Sequence, residues 1–125
     1  MSSKKNNKPY KDTSFHLFGS FYTVKFIDSI SKLEEKESST NRNFIYGITF
    51  PDKQTIYIAI KDRDGNQLPD NIIKTTLLHE LVHAIFNTGC YHNSSLDEPL
   101  VEWTARCILS LLDQKFFTAN FNIYK

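Results

Sequence analysis

Cysteine is scarce in this chain. Cys90 and Cys107 are the only two among 125 residues, and they form no Cys-x-x-Cys pair. Two thiols make no disulfide framework, so a reducing compartment, the cytoplasm, is the expected setting. An excess of charge is also missing. Fifteen Lys and Arg stand against fourteen Asp and Glu, a net +1, which supplies no overall field to draw in nucleic acid or an anionic membrane. Long hydrophobic runs are absent too. No stretch approaches the roughly 18 apolar residues of a membrane span. The basic opening MSSKKNNKPYKDTS has no apolar segment behind it that would make a signal peptide. Neither a membrane nor a nucleic-acid partner is expected.

What is present is a folding composition. Hydrophobic residues make up 40%, with ten Phe and six Tyr, enough for one domain with one modest core. Residues 1–13, rich in Lys, Asn and Ser, read as a flexible basic tail ahead of a single domain over 14–125. In SFYTVKFID, Tyr22, Val24 and Phe26 alternate with Thr23 and Lys25, the period of a strand. The start of SISKLEEKESSTNRN reads as a short helix through Ile30 and Leu33, and residues 38–43 as a loop. FIYGITF (44–50) reads as a second strand and Pro51-Asp52-Lys53 as a turn. QTIYIAI (54–60) is the clearest strand, with Ile56, Ile58 and Ile60 on one face. Asp64-Gly65 centres a turn-rich connection. The expected sheet is small and three-stranded.

From Asp70 the period changes. Ile72, Ile73, Thr76, Leu77, Glu80, Leu81, Ala84 and Ile85 recur at three- and four-residue intervals, as in an amphipathic helix. Asp70 or Asn71 can cap its start, and Gly89 can end it. CYHNSSLDEP reads as a loop. A second helix covers about 97–113, with Val101, Ala105, Ile108 and Leu112 on one stripe, Asp97 as N-cap and Pro99 tolerated in the first turn. The aromatic end QKFFTANFNIY is expected to pack back on the domain. Strands followed by helices define an α+β fold, the sheet packed on a first helix and then a second.

The first helix carries His79-Glu80-Leu81-Val82-His83, the HExxH pattern. Residues four apart project from one helical face, so both imidazoles can reach one tetrahedral zinc ion. Glu80 is placed to act as general base on a metal-activated water and to pass the proton to the leaving amine. A core helix with two incidental histidines is the bland alternative. Against it, the histidine face is rotated from the Ile73/Leu77/Leu81 stripe towards a cleft edge, and two of the four histidines occupy the motif.

Catalytic zinc usually takes three protein ligands. Glu98 and Glu102, one turn apart on the second helix, are the candidates for the third, because antiparallel packing would bring either opposite the histidines. One carboxylate would bind zinc and the other would accept a ligand histidine's free ring N–H. His92 competes as a ligand from the loop. Tyr91 and His92 are candidate oxyanion donors, with an aromatic cap on the core as the plainer role.

The segment 72–112 resembles the small gluzincin-type metallopeptidases of phages and mobile elements, relatives of the ImmA/IrrE family. TTLLHELVHAI and EPLVEWTARCIL carry the resemblance, and YGITF…TIYIAI adds a softer match within residues 21–113. It implies a minimal zincin-like fold and a zinc-dependent peptidase, with His79 and His83 as zinc ligands and Glu80 as acid/base. Counting back from Ala105, it ranks Glu98 first as third ligand and Glu102 second. It also implies a peptide or protein substrate paired along strand 54–60 at the cleft edge. The chain departs from the larger relatives in showing no DNA-binding or sensory domain, which removes any inference about repressor control. Pro99, directly after Glu98, leaves the register open.

Two other readings compete. One is a non-cleaving metal-binding regulatory or interaction module on the same scaffold, marked by a fourth protein ligand from Glu102 or His92. The other is a nucleic-acid-associated protein using KKNNKPYK, which lacks aromatic interleaving within a folded surface.

Overall fold

A computed structural model describes residues 10–30 and 46–114. The expected short helix beyond Ile30, the loop at 38–43, the first two residues of the 44–50 strand and the aromatic end lie outside the described residues.

The alternating segments form a four-stranded sheet, one strand more than expected. β1 (Thr13–Leu17), β2 (Ser20–Ile27), β3 (Gly47–Phe50) and β4 (Thr55–Ala59) lie in the order β1-β2-β4-β3. The additional strand is β1, which pairs antiparallel with β2 and sets Leu17 opposite Ser20. The two residues between, Phe18 (φ 50°) and Gly19 (φ 89°), both have positive φ, the backbone of a tight two-residue hairpin. Phe-Gly is not the usual Asn-Gly or Asp-Gly signal, and a bulky residue at positive φ is uncommon, so the turn was hidden in the sequence. β1 also draws the end of the supposed tail into the fold. Asp12 Oδ1 accepts from the Phe26 amide at 2.9 Å, the Tyr10 ring lies 5.3 Å from that of Phe26, and the Tyr10 hydroxyl donates to Asp70. The tail therefore does not extend to residue 13.

β2 runs parallel to β4, and β3 antiparallel to it. Tyr22, Val24, Phe26, Ile56 and Ile58 are buried on one face. The first helix, α1 (Asp70–Thr88), packs on that face, contributing Ile73 and Ala84 to the same core. Leu78 and Val82, on another side of α1, meet Val101 and Ala105 of α3 (Glu98–Leu112). α1 is thus a middle layer with two buried faces, which is why its apolar residues do not form one stripe. Ile85, expected in the stripe, is exposed. No described helix is long and apolar enough to cross a membrane.

Helix ends decide where the site residues fall. Pro69 occupies the N-cap of α1 and no side chain caps it, so neither Asp70 nor Asn71 serves there. At the other end, the Tyr91 amide reaches back to Phe86 O at 2.7 Å and the Cys90 amide to Asn87 O at 3.1 Å. These are the paired bonds of a Schellman turn, with Cys90 (φ 66°) and not Gly89 in the left-handed position. The chain reverses into a short helix, α2 (His92–Ser95), where a loop was expected. Asp97 caps α3 by accepting from the Leu100 amide at 3.1 Å, with Pro99 in the first turn.

Candidate metal centre

α1 and α3 run antiparallel past one another, and the HExxH turn faces the first turns of α3. His79 Nε2 lies 3.0 Å from Glu98 Oε1, and His83 Nε2 lies 3.5 Å from the same oxygen. One donor atom from each of His79, His83 and Glu98 falls within 4.8 Å of the others. Bonds of about 2.0–2.1 Å to a tetrahedral ion place neighbouring donors about 3.3–3.4 Å apart, so the two measured separations bracket what an ion needs. Two imidazole nitrogens and a carboxylate oxygen are also a donor set that suits zinc and other first-row metals. The three residues fit a metal.

Glu102 has a different place. Its Oε1 is 2.8 Å from His79 Nδ1, on the far side of the ring from Glu98, and its Oε2 accepts from Arg106 Nε at 2.8 Å. Partial burial pulls the Glu102 carboxyl upward, but the hydrogen bonds to His79 and Arg106 outweigh it and hold the group below the usual carboxylate range. A carboxylate on Nδ1 orients the ring and leaves Nε2 free for a ligand role. His83 is held on its Nδ1 by Ser95 Oγ at 3.0 Å.

Glu80 reaches from the cleft to the sheet. It is 7% exposed, and its Oε1 accepts from Thr49 Oγ1 of β3 at 2.6 Å. Burial is the largest influence on this carboxyl and raises its pKa, against the Thr49 hydrogen bond and the neighbouring imidazoles. Gly47 makes the approach of β3 feasible. A Cβ there would stand 2.7 Å from Thr76 Cγ2 and 2.9 Å from Glu80 Cγ.

An open cleft of about 1010 Å³ runs between β3 and the two helices, lined by His79, Glu80, His83, Glu98 and Glu102 among others. Tyr91 and His92 do not line it. Tyr91, whose amide closes the Schellman turn, has a largely exposed side chain, and His92 Nδ1 lies 3.0 Å from Asn87 Oδ1. The structure therefore does not bring these two to the site as oxyanion donors, nor His92 as a ligand.

The strand at the cleft edge is also not the one expected. β4 is paired on both sides, by β2 and β3, so its backbone has no free edge for a peptide. Among the described residues the edge strand on the cleft side is β3, with β1 at the opposite edge of the sheet. The Ala59 amide donates to Tyr46 O at 2.8 Å. In an antiparallel ladder this alternation turns the backbone groups of Gly47 and Thr49 outward.

Sequence reasoning missed Gly47, Thr49, Asn87, Ser95 and Arg106. Only Gly47 carried a local signal, since an isolated glycine in a strand pattern marks a bulge or a close backbone approach. Fold and geometry together define an α+β chain with a candidate metal centre. Compared with protein-family models, with curated proteins and with solved structures, the chain matches none.

Proposed function

We propose that this chain is a zinc-dependent peptidase, in keeping with its resemblance to the ImmA/IrrE-related metallopeptidases of phages and mobile elements. The observation that carries the reading is the convergence of His79, His83 and Glu98 within 4.8 Å at the side of an open cleft. Zinc bound there would activate water and polarise the scissile carbonyl.

The chain's own residues supply the rest. Glu102 and Ser95 hold the outer nitrogens of His79 and His83, so both Nε2 atoms face the same point. Glu80 takes a proton from the attacking water and returns it to the leaving amine. Its raised pKa, caused by burial, brings a carboxylate closer to neutrality, where an acid/base group works best. An extended peptide pairs with the outward groups of Gly47 and Thr49 on β3, which places its backbone beside the cleft. The two free thiols, Cys90 and Cys107, suit a reducing compartment, and the cytoplasm is the proposed location.

Elemental analysis of protein purified without chelator should give about one zinc per chain, and His83→Ala should lose it. Full occupancy in His83→Ala would rule out this centre. A peptide library read by mass spectrometry should reveal a substrate. Glu80→Gln should keep the metal and lose about 10²–10⁴-fold in rate; equal turnover by both proteins would remove Glu80 from the role.

The burial of Glu80 and its bond to Thr49 also suit a structural carboxylate, which favours a non-cleaving metal-binding module as the second reading. That reading holds if wild type and Glu80→Gln both keep metal and neither turns over any peptide.

A further inference from the structure

His83 has a partner on its outer nitrogen that comes from the least regular part of the fold. Ser95, at the end of α2, is 5% exposed, and its Oγ lies 3.0 Å from His83 Nδ1. The same oxygen accepts from Asn87 Nδ2 at 3.2 Å. Asn87 stands one turn after His83 on α1, so the helix presents both side chains to the same hydroxyl. Asn87 Oδ1 in turn faces His92 Nδ1 at 3.0 Å. A chain of four polar side chains runs from the metal centre to the surface.

The acceptor capacity of this hydroxyl matches its two neighbours. A serine oxygen offers two lone pairs. The Asn87 N–H takes one of them. When His83 uses Nε2 as a ligand, its ring hydrogen sits on Nδ1 and takes the other. The imidazole can then rotate little about its Cβ–Cγ bond without breaking a buried hydrogen bond, and a lost buried bond leaves an unsatisfied group. The opposite ring, His79, is held in the same way by Glu102 at 2.8 Å. One ligand ring is therefore steadied by a carboxylate from α3 and the other by a neutral hydroxyl from α2, which orients the ring without adding charge.

We propose that Ser95, oriented by Asn87, is a positioning residue that sets the ring angle of His83 and through it the affinity of the centre for its metal. This rests on the metal-binding reading above. It gives α2 and the Schellman turn before it a task, since together they bring Ser95 back against the helix the chain has just left.

The test uses the full chain as wild type, Ser95→Ala, Ser95→Thr and Asn87→Ala. Zinc affinity is measured by competition with a chromophoric chelator. The visible absorption of the cobalt(II) forms reports ligand geometry, and thermal unfolding in chelator reports the fold. Ser95→Ala should bind zinc about 10–100-fold more weakly and show an altered cobalt spectrum. Ser95→Thr, which restores the hydroxyl, should recover both, and Asn87→Ala should fall between. A folded Ser95→Ala with wild-type affinity and spectrum overturns the proposal, as does a folded Ser95→Thr that recovers neither. If Ser95→Ala does not fold, Asn87→Ala decides: weaker binding in a folded protein supports the role, and unchanged binding and spectrum overturn it. Wild-type protein that takes up no metal removes the metal centre and this inference with it, whereas metal-binding wild type with indifferent variants removes the inference alone.

Discussion

At Gly47 the lack of a side chain lets β3 lie directly on α1. Thr76 and Glu80 are one turn apart on the helix, and a Cβ at 2.7 Å and 2.9 Å from their carbons would have to push the strand away. Gly47→Ala should cost about 1–3 kcal/mol, the usual range for overpacking, read as a Tm several degrees lower in chelator. An unchanged Tm would mean that strand and helix are not so close. Two residues on, Thr49 donates to a buried carboxylate at 2.6 Å. Thr49→Val keeps the shape and removes the donor, leaving Glu80 facing a methyl group at a cost of about 1–3 kcal/mol. Thr49→Ser should restore most of this, and equal melting temperatures for all three proteins would count against the bond. The HExxH spacing made His79, Glu80 and His83 legible because all three follow from one helical turn. The partners of these residues were not legible, because no local pattern says which strand residue a helix side chain will meet. Ser95 was hidden for the same reason, inside a segment that read as loop.

At the scale of elements, the sequence pattern located β2, β3, β4, α1 and α3, and the parts it missed share a cause. The β1–β2 hairpin turns on Phe18, which is 92% exposed at positive φ, where sequence rules look for Asn, Asp or Gly. The position of β4 inside the sheet depends on parallel pairing with β2, a contact between segments far apart in sequence that alternation cannot report. α3 shows how packing and site depend on each other. Val101 and Ala105 are fully buried against Leu78 and Val82, and Val101 lies between Glu98 and Glu102 in sequence. Val101→Ala should destabilise the protein by about 1–3 kcal/mol through the cavity it leaves. It should also weaken zinc binding, because the carboxylate is carried on a looser helix. A stability loss with unchanged zinc affinity would show that Glu98 is placed by the α2–α3 connection and not by the helix contact.

For the whole molecule, the three candidate ligands come from two layers. His79 and His83 belong to the middle helix and Glu98 to the outer one, and the apolar contact between those helices centres on Leu78, Val82, Val101 and Ala105. Metal held by these ligands should therefore act as a clasp between the two helices. A ligand that binds only the folded chain stabilises it by about 2.7 kcal/mol at 100 times its Kd, enough to raise Tm by several degrees in a domain of this size. Zinc added to chelator-stripped protein should produce that rise, and chelator should reverse it. Glu80→Gln should retain the shift, because Glu80 Oε1 is engaged by Thr49 and Glu80 is not one of the three converging donors. His83→Ala should lose it, because two donors on separate helices hold an ion poorly. The pair of variants decides between clasp and accident. An undiminished rise in His83→Ala would place the zinc elsewhere on the surface, and a rise lost in Glu80→Gln would make Glu80 a ligand in place of Glu98.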